Sequence, residues 1–345
     1  MADVTESKEI FSIDQIEEPK DIHDIVFNLM VNPNLAPVNY FNDFSEEGFE
    51  PDNLDKDDTD VGVFTTHDGQ VMSMTTHAYH HHLTDDPRKA TEILISKAAR
   101  GMISYGLKPL AVSVFLYHID VADPNGQKIA SGAKKGLEQA SSRFGLTVAD
   151  RKIRFDRFRA HGQLYPTIII SMMGSLEKKD HMLTHQLKSK GNNIFVIGRS
   201  YNDINSSEYL DFYHGIDDSP LPVFDLEVEV RLHEVVDDLI EKKLIASASP
   251  VGRGGLFFSL MRAGMPAGLG FDITTDAEIR KDAFLFGESM GRLIVGVSQG
   301  SEDQFVDFMR NQKIPFFTLG HVTRGEIRID DESFGFIDKM TPKVE

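Results

Sequence analysis

The sequence predicts a two-domain α+β protein, and three observations carry that expectation. The chain has 345 residues, more than one average domain, with 41% apolar and 26% charged residues, the balance of a globular protein. Strand-like apolar runs alternate with helix-period segments in two separate blocks. A polar stretch at residues 177–193 divides the blocks, which places a first domain at 60–180 and a second at 190–335, behind an acidic extension at 1–59.

The extension is rich in Asn, Asp and Pro, and only "IHDIVFNLM" (22–30) reads as helix, so an arm or loosely packed segment is expected. From Val61 the texture changes. "VGVFTTHDGQVMSMTTH" (61–77) is two β-runs around a His-Asp-Gly-Gln turn, a hairpin. The next segment, 86–106, sets Ile93, Ile95, Ala98, Ala99 and Met102 near helical spacing, with Gly106 as its stop. A strand at 109–119, a helix at 126–145 and a strand at 165–176 complete the first block. In the second block, strands are expected at 193–198, 269–274, 292–297, 316–322 and 326–330, and helices at 226–245 and 255–264.

Composition narrows function by exclusion. A net charge of -18 and a pI near 5.1 argue against broad binding of nucleic acid or anionic membrane, which rests on a positive field. There is no cysteine, so disulfides, thiolate metal sites and cysteine nucleophiles are excluded. The first twenty residues lack the basic start and apolar block of a signal peptide, and no run of about 18 apolar residues occurs, so a cytoplasmic, soluble chain is expected.

Three stretches bear chemistry. "GRGG" (252–255) joins an apolar strand to a helix, the kind of junction where backbone N–H groups hold an anion, and Gly252, Arg253, Gly254 and Gly255 are candidate phosphate ligands. The alternative is a turn that needs glycine's freedom. "HAYHHHLTDD" (77–86) gathers His77, His80, His81, His82, Asp85 and Asp86. Of these, His80, His82, Asp85 and Asp86 are weak candidates for a transition metal, against a solvated or substrate-facing loop. "RKIRFDRFR" (151–159) alternates basic and apolar residues, as a strand with one buried and one wet face does, or as a phosphate-binding strand does.

The segments "SSEYLDFYHG" (206–215), "PVFDLEVEVRLHEVVDDLIEKKLIASASPVGRGGLFFSLMRAG" (222–264), "LGFDI" (269–273), "LFGESMGRLIVGV" (285–297) and "TLGHVTRGEIRID" (318–330), in that order and spacing, resemble the C-terminal domain of the synthase part of phosphoribosylformylglycinamidine synthase. Upstream, "KAARGMISYGLKPLAVSVFLYH" (97–118), "GAKKGLEQASSRFGLTV" (132–148) and "YPTIIISMMGSLEKKDH" (165–181) are similar to its N-terminal domain. The wider circle includes aminoimidazole ribonucleotide synthase. The resemblance implies an N-domain half-barrel that pairs on dimerisation, an α/β C-domain, and ATP with a phosphorylated substrate between them. It also implies a homodimer, with a purine-pathway partner or a glutaminase subunit as ammonia source.

The chain departs from that family where Mg²⁺ and substrate are held. His77 stands where the family writes the acid of Thr-Thr-Asp, Gly101 where it has Asn, Val114 where it has Asp, and Arg253 where it has the acid of Ser-Asp-Gly-Gly; "ADRKIRFDRF" (149–158) replaces a substrate-contacting segment. The substitutions argue against Mg²⁺ and for a catalytically degenerate binder, with an active carbon–nitrogen ligase and a non-catalytic dimeric interaction protein as the alternatives. Glu288 and Arg292 of the retained "LFGES" region either serve ligand or pair at the domain's inner wall. His77 and Glu288 are the catalytic candidates, and Arg292 joins the glycine junction as a phosphate candidate.

Overall fold

A computed structural model describes residues 11–35, 61–80, 82–155 and 165–340. The chain forms two sheets, one of five and one of seven strands, in a two-domain α+β architecture.

The first sheet is built from β1 (Gly62–Thr65), β2 (Val71–Tyr79), β3 (Lys108–Tyr117), β4 (Thr147–Arg154) and β5 (Thr167–Ser175), ordered β1-β2-β5-β3-β4. β1 and β2 form the expected hairpin, whose turn places Gly69 at φ 83°. Two helices follow in the N-domain; α1 belongs to the extension and is described below. α2 (Pro87–Ile103) starts at an Asp86 cap, with proline at the first turn, and ends before Gly106 at φ 77°. α3 (Pro124–Phe144) starts at Asp123 and ends on left-handed Gly145.

Both helices pack on one face of this sheet. Val112, Val114 and Leu116 of β3 and Ile168, Ile170 and Met172 of β5 join the apolar residues of α2 and α3 in one core. Strand alternation sends the intervening residues to the other face, which no described helix covers. There Met74 and Met173 lie in register, exposed by 51% and 42%.

The second sheet contains β6 (Asn193–Ile197), β7 (Ser247–Pro250), β8 (Phe271–Ile273), β9 (Leu293–Val297), β10 (Phe316–Val322), β11 (Glu326–Ile329) and β12 (Glu332–Phe336), ordered β12-β11-β8-β10-β6-β9-β7. Its central strands are apolar on both faces because helices cover both. Ile194 and Val196 pack with α5 (Gly255–Gly264) and α6 (Lys281–Phe286), whereas Phe195 and Ile197 pack with α4 (Leu226–Glu241) and α7 (Glu302–Arg310).

Two expectations are corrected. The extension is not a loose arm where it is described: α1 (Ile22–Met30) buries Ile22, Ile25, Val26 and Leu29 in the core of the second domain, followed by Leu35. Its amphipathic spacing was legible, but its partner lies nearly 200 residues away, at Tyr209 and Leu210. β4 has no buried face: it is the edge strand of the sheet, paired with β3, and all its residues but Asp150 are exposed. Residues 156–159 of its basic run, and 1–10 and 36–59 of the extension, lie outside the described residues.

The two domains are joined by charge as well as by packing. Arg100 of α2 and Glu229 of α4 are both buried and meet at 2.5 Å. Arg143 of α3 forks onto both carboxylate oxygens of Glu227 at the surface of the same contact.

Candidate functional site

The glycine junction follows β7 directly and starts α5. Gly254 and Gly255 have φ of 74° and 70°, the left-handed region where a side chain is strained. Space also forbids one: a Cβ on Gly255 would come within 2.6 Å of the Phe286 backbone, and one on Gly254 within 2.9 Å of Leu35. Gly252 meets no such limit.

The junction's backbone donors are used internally. Gly252 N–H donates to Ser259 Oγ at 3.1 Å, Gly255 N–H to the Gly252 carbonyl at 3.0 Å, and Gly254 N–H to Glu288 Oε1 at 2.9 Å. The same Glu288 oxygen accepts the Glu208 N–H at 2.9 Å. The carboxylate of Glu288 therefore takes a backbone donor of the kind an external anion would take at this helix start. Burial pushes its carboxyl above the ordinary carboxylate value, against the pull of nearby Lys97 and the two N–H donors.

Arg253 precedes Gly254 in the junction, with its side chain 59% exposed and 4.0 Å from Glu208 Oε1. Glu208 is held from behind: Asn32 Nδ2 donates to its Oε2 at 2.8 Å and Asn34 Nδ2 at 3.2 Å. Tyr79, at the end of β2, completes the group from the other domain. Its phenol is pushed up to about 12 by burial and by the Glu288 charge, with Arg253 opposing. Glu208, Tyr79, Lys97, Asn32 and Asn34 were not singled out in the sequence. Each reaches the site by tertiary contact, and local pattern carries no signal for it.

The other candidates are placed as follows. Arg292 is buried and turned inward, donating to the carbonyls of Gly287 at 2.6 Å and Ser289 at 3.2 Å and to Ser200 Oγ at 3.3 Å. Burial, reinforced by Arg100, lowers its pKa to about 10. It clamps the 287–292 loop, its guanidinium spent on that loop's own carbonyls, while its backbone carbonyl accepts the Val251 N–H at 3.1 Å beside the junction. Glu229 braces the same loop, accepting the Gly291 N–H at 2.8 Å.

His77 lies in register with Ile170, and Ile170 with Val114, so all three share the helix-covered face of the first sheet. His77 Nε2 is 3.1 Å from Thr75 Oγ1, Val114 is core, and a Cβ on Gly101 would stand 3.2 Å from Val61.

The histidine-rich loop does not converge. Among the described residues no three His, Asp or Glu side chains come together as a metal would require. His82 pairs with Ser206 Oγ at 2.6 Å and Asp85 at 3.4 Å, Asp86 caps α2, and His80 packs toward Tyr165 at 6.1 Å. The reason is backbone direction: capping and the left-handed His82 at φ 57° turn neighbouring side chains apart. His81 lies outside the described residues.

This two-domain α+β chain, with its glycine junction between β7 and α5, is similar to proteins of the aminoimidazole ribonucleotide synthase-like superfamily. Residues 189–331 match the family described as AIR synthase related protein, C-terminal domain. Over 329 residues the chain is 26% identical to the phosphoribosylformylglycinamidine synthase subunit PurL of Alkaliphilus metalliredigens, covering 95% of this chain and 44% of that one. The corresponding subunit of Moorella thermoacetica is 24% identical, with 89% and 42% covered. The chain thus spans less than half the length of the curated relatives it matches. Among solved structures, Thermotoga maritima PurL complexed with FGAR superposes with a TM-score of 0.75 at 15% identity, covering 94% of this chain and 54% of that one. The same protein complexed with ATP gives 0.68 at 14% identity, with 84% and 47% covered. At these identities the structural likeness establishes the fold.

Proposed function

We propose that this chain is a phosphoribosylformylglycinamidine synthase-like protein that binds ATP or another phosphorylated ligand of purine biosynthesis beside Arg253, and that it does not carry out phosphoryl transfer alone. The reading is carried by the residues at the four positions where the family resemblance asks for metal-holding or polar groups. Val114 is core, Gly101 abuts Val61, His77 is engaged with Thr75, and Arg253 is a cation. Mg²⁺ takes hard oxygen ligands. The residues present at these positions do not fit it.

Arg253 offers other chemistry. A guanidinium fork binds a phosphate through two parallel charge-assisted hydrogen bonds, and its exposure leaves it accessible to a ligand. It replaces charge and cannot supply the geometry of an ion bridging two phosphates.

Calorimetric titration of the full chain with ATP, with and without Mg²⁺, tests the reading. Binding is expected without the ion, weakened by about 1.5–3 kcal/mol in Arg253→Ala, the range for a hydrogen bond to a charged group. Binding that requires Mg²⁺ and is unaltered in Arg253→Ala overturns it.

One observation favours a second reading, an active ligase subunit completed by a partner: Glu288 is retained and buried, and burial raises its carboxyl above the ordinary value. A relative of Thermotoga maritima has been solved as the assembly PurLQS. Substrate-dependent ADP release with ammonia and Mg²⁺, abolished by Glu288→Gln, would establish this reading in place of the first.

A homodimer belongs to the proposal. The open face of the five-stranded sheet carries Met74, Met173 and Phe64, and the chain covers 54% of the Thermotoga PurL chain, so a second copy would supply a length like the remainder.

A further inference from the structure

Glu208 and Arg253 form an ion pair in which one partner is held and the other is free to move. Glu208 is largely buried, and its backbone N–H is tied to Glu288 Oε1 at 2.9 Å. Its Oε2 is tied to the amides of Asn32 at 2.8 Å and Asn34 at 3.2 Å. Asn32 is itself buried, and its own Oδ1 accepts the Asn34 N–H at 2.8 Å, so the two amides are set as one unit. Leu35, the next residue, seats against Gly254. Opposite, the guanidinium of Arg253 reaches Oε1 only at 4.0 Å, the outer limit of an ion pair, and is mostly exposed.

We propose that Glu208 is a built-in counter-ion that an incoming phosphate must displace from Arg253, and that Asn32 and Asn34 set how strongly it competes by holding its second oxygen back. The inference rests on the phosphate-binding reading of this junction and adds its selectivity. A ligand wins Arg253 only if it brings more charge than the carboxylate does, which favours a dianionic phosphate, such as a terminal phosphate, over neutral or singly charged groups. The specificity residues then come from a segment outside the matched 189–331 domain.

The test is the sign of the effect. The full chain is titrated calorimetrically with ATP in Mg²⁺-free buffer, with adenosine as the uncharged control. Glu208→Gln keeps an acceptor for both amides and removes the competing charge, so ATP should bind roughly two- to five-fold more tightly, the range of an exposed ion pair, with adenosine unaffected. Asn32→Ala or, at the more exposed donor, Asn34→Ala releases the carboxylate toward Arg253 and should weaken ATP by a similar factor. Adding Glu208→Gln to either variant should restore the tight value, a rescue that damage to the fold would not give. ATP binding weakened or unchanged in Glu208→Gln, with wild-type binding intact, overturns the inference alone. No ATP binding by the wild type overturns the reading of the site and this inference with it.

Discussion

Replacing Arg100 with Met leaves the buried Glu229 without its cation. Removing one partner of a buried pair costs about 3–5 kcal/mol, because the remaining charge keeps its desolvation penalty and loses its compensation. The geometry places this pair in that class: both side chains are buried, the contact is 2.5 Å, and Glu229 is left with the Gly291 N–H at 2.8 Å as a donor. Changing Glu229 to Gln in the same chain removes the second charge and keeps an acceptor for Gly291. The double variant should therefore return to within about 1 kcal/mol of the wild type, since replacing a whole buried pair is often neutral. The cycle of two single variants and the double one isolates the coupling. The chain has no Trp, so urea unfolding is followed by far-UV circular dichroism and by the fluorescence of its 8 tyrosines. A loss below about 1 kcal/mol in Arg100→Met, or a double variant as unstable as the single one, would refute the reasoning.

Acid should erode stability through two buried imidazoles. His185 and His233 have pKa values lowered from 6.5 to about 3, by burial first and then by Arg262 and Arg100 respectively. Unfolded, each binds its proton near the ordinary value, so their contribution is complete above pH 6.5 and falls by about 1.4 kcal/mol per unit and per histidine toward pH 3. Glu288 and Asp203, raised by burial, act in the opposite sense, and the urea midpoint of a His185→Gln/His233→Gln chain should fall less steeply between pH 6.5 and 5 than that of the wild type. Sedimentation at micromolar concentration should show a dimer that Met74→Asp with Met173→Asp converts to monomer; a clean wild-type monomer would sink the dimer. No formylglycinamidine synthase activity is expected from the chain alone with ammonia, ATP and Mg²⁺, and turnover above a heat-inactivated control would count against the degenerate reading.

What was legible in the sequence is what local forces decide. The His-Asp-Gly-Gln turn, the helical spacing of Ile93 to Met102 and the stop at Gly106 each act within a few residues, and the elements they bound are those in the structure, whereas the Asp86 and Asp123 caps were not read. β7, "SASP", carries no β-branched residue, and only the glycine junction after it implied a strand there; it forms because β9 offers it an edge. The glycine junction and Arg253 were readable, but not the fact that Glu288 takes the Gly254 N–H from 34 residues away. Asn32 and Glu208 are 176 positions apart, beyond any periodicity. The alternation of basic and apolar residues misjudged β4, because its edge position follows from strand order, which the strand itself does not show.

The packing of α1 gives the second domain a discontinuous sequence, with consequences for the order of events on the ribosome. Arg280 donates to the carbonyls of Ile13 and Ile16, and His23 stacks on Phe334 with ring centres 4.0 Å apart. Residues 13–23 must therefore wait for Arg280 and Phe334, while the strands of the five-stranded sheet are all made by residue 175. Contacts spanning such separations slow folding, because the closing of the loop precedes any gain from it. The apolar face of α1, Ile22, Ile25, Val26 and Leu29, therefore has no cover until the residues it packs against are made.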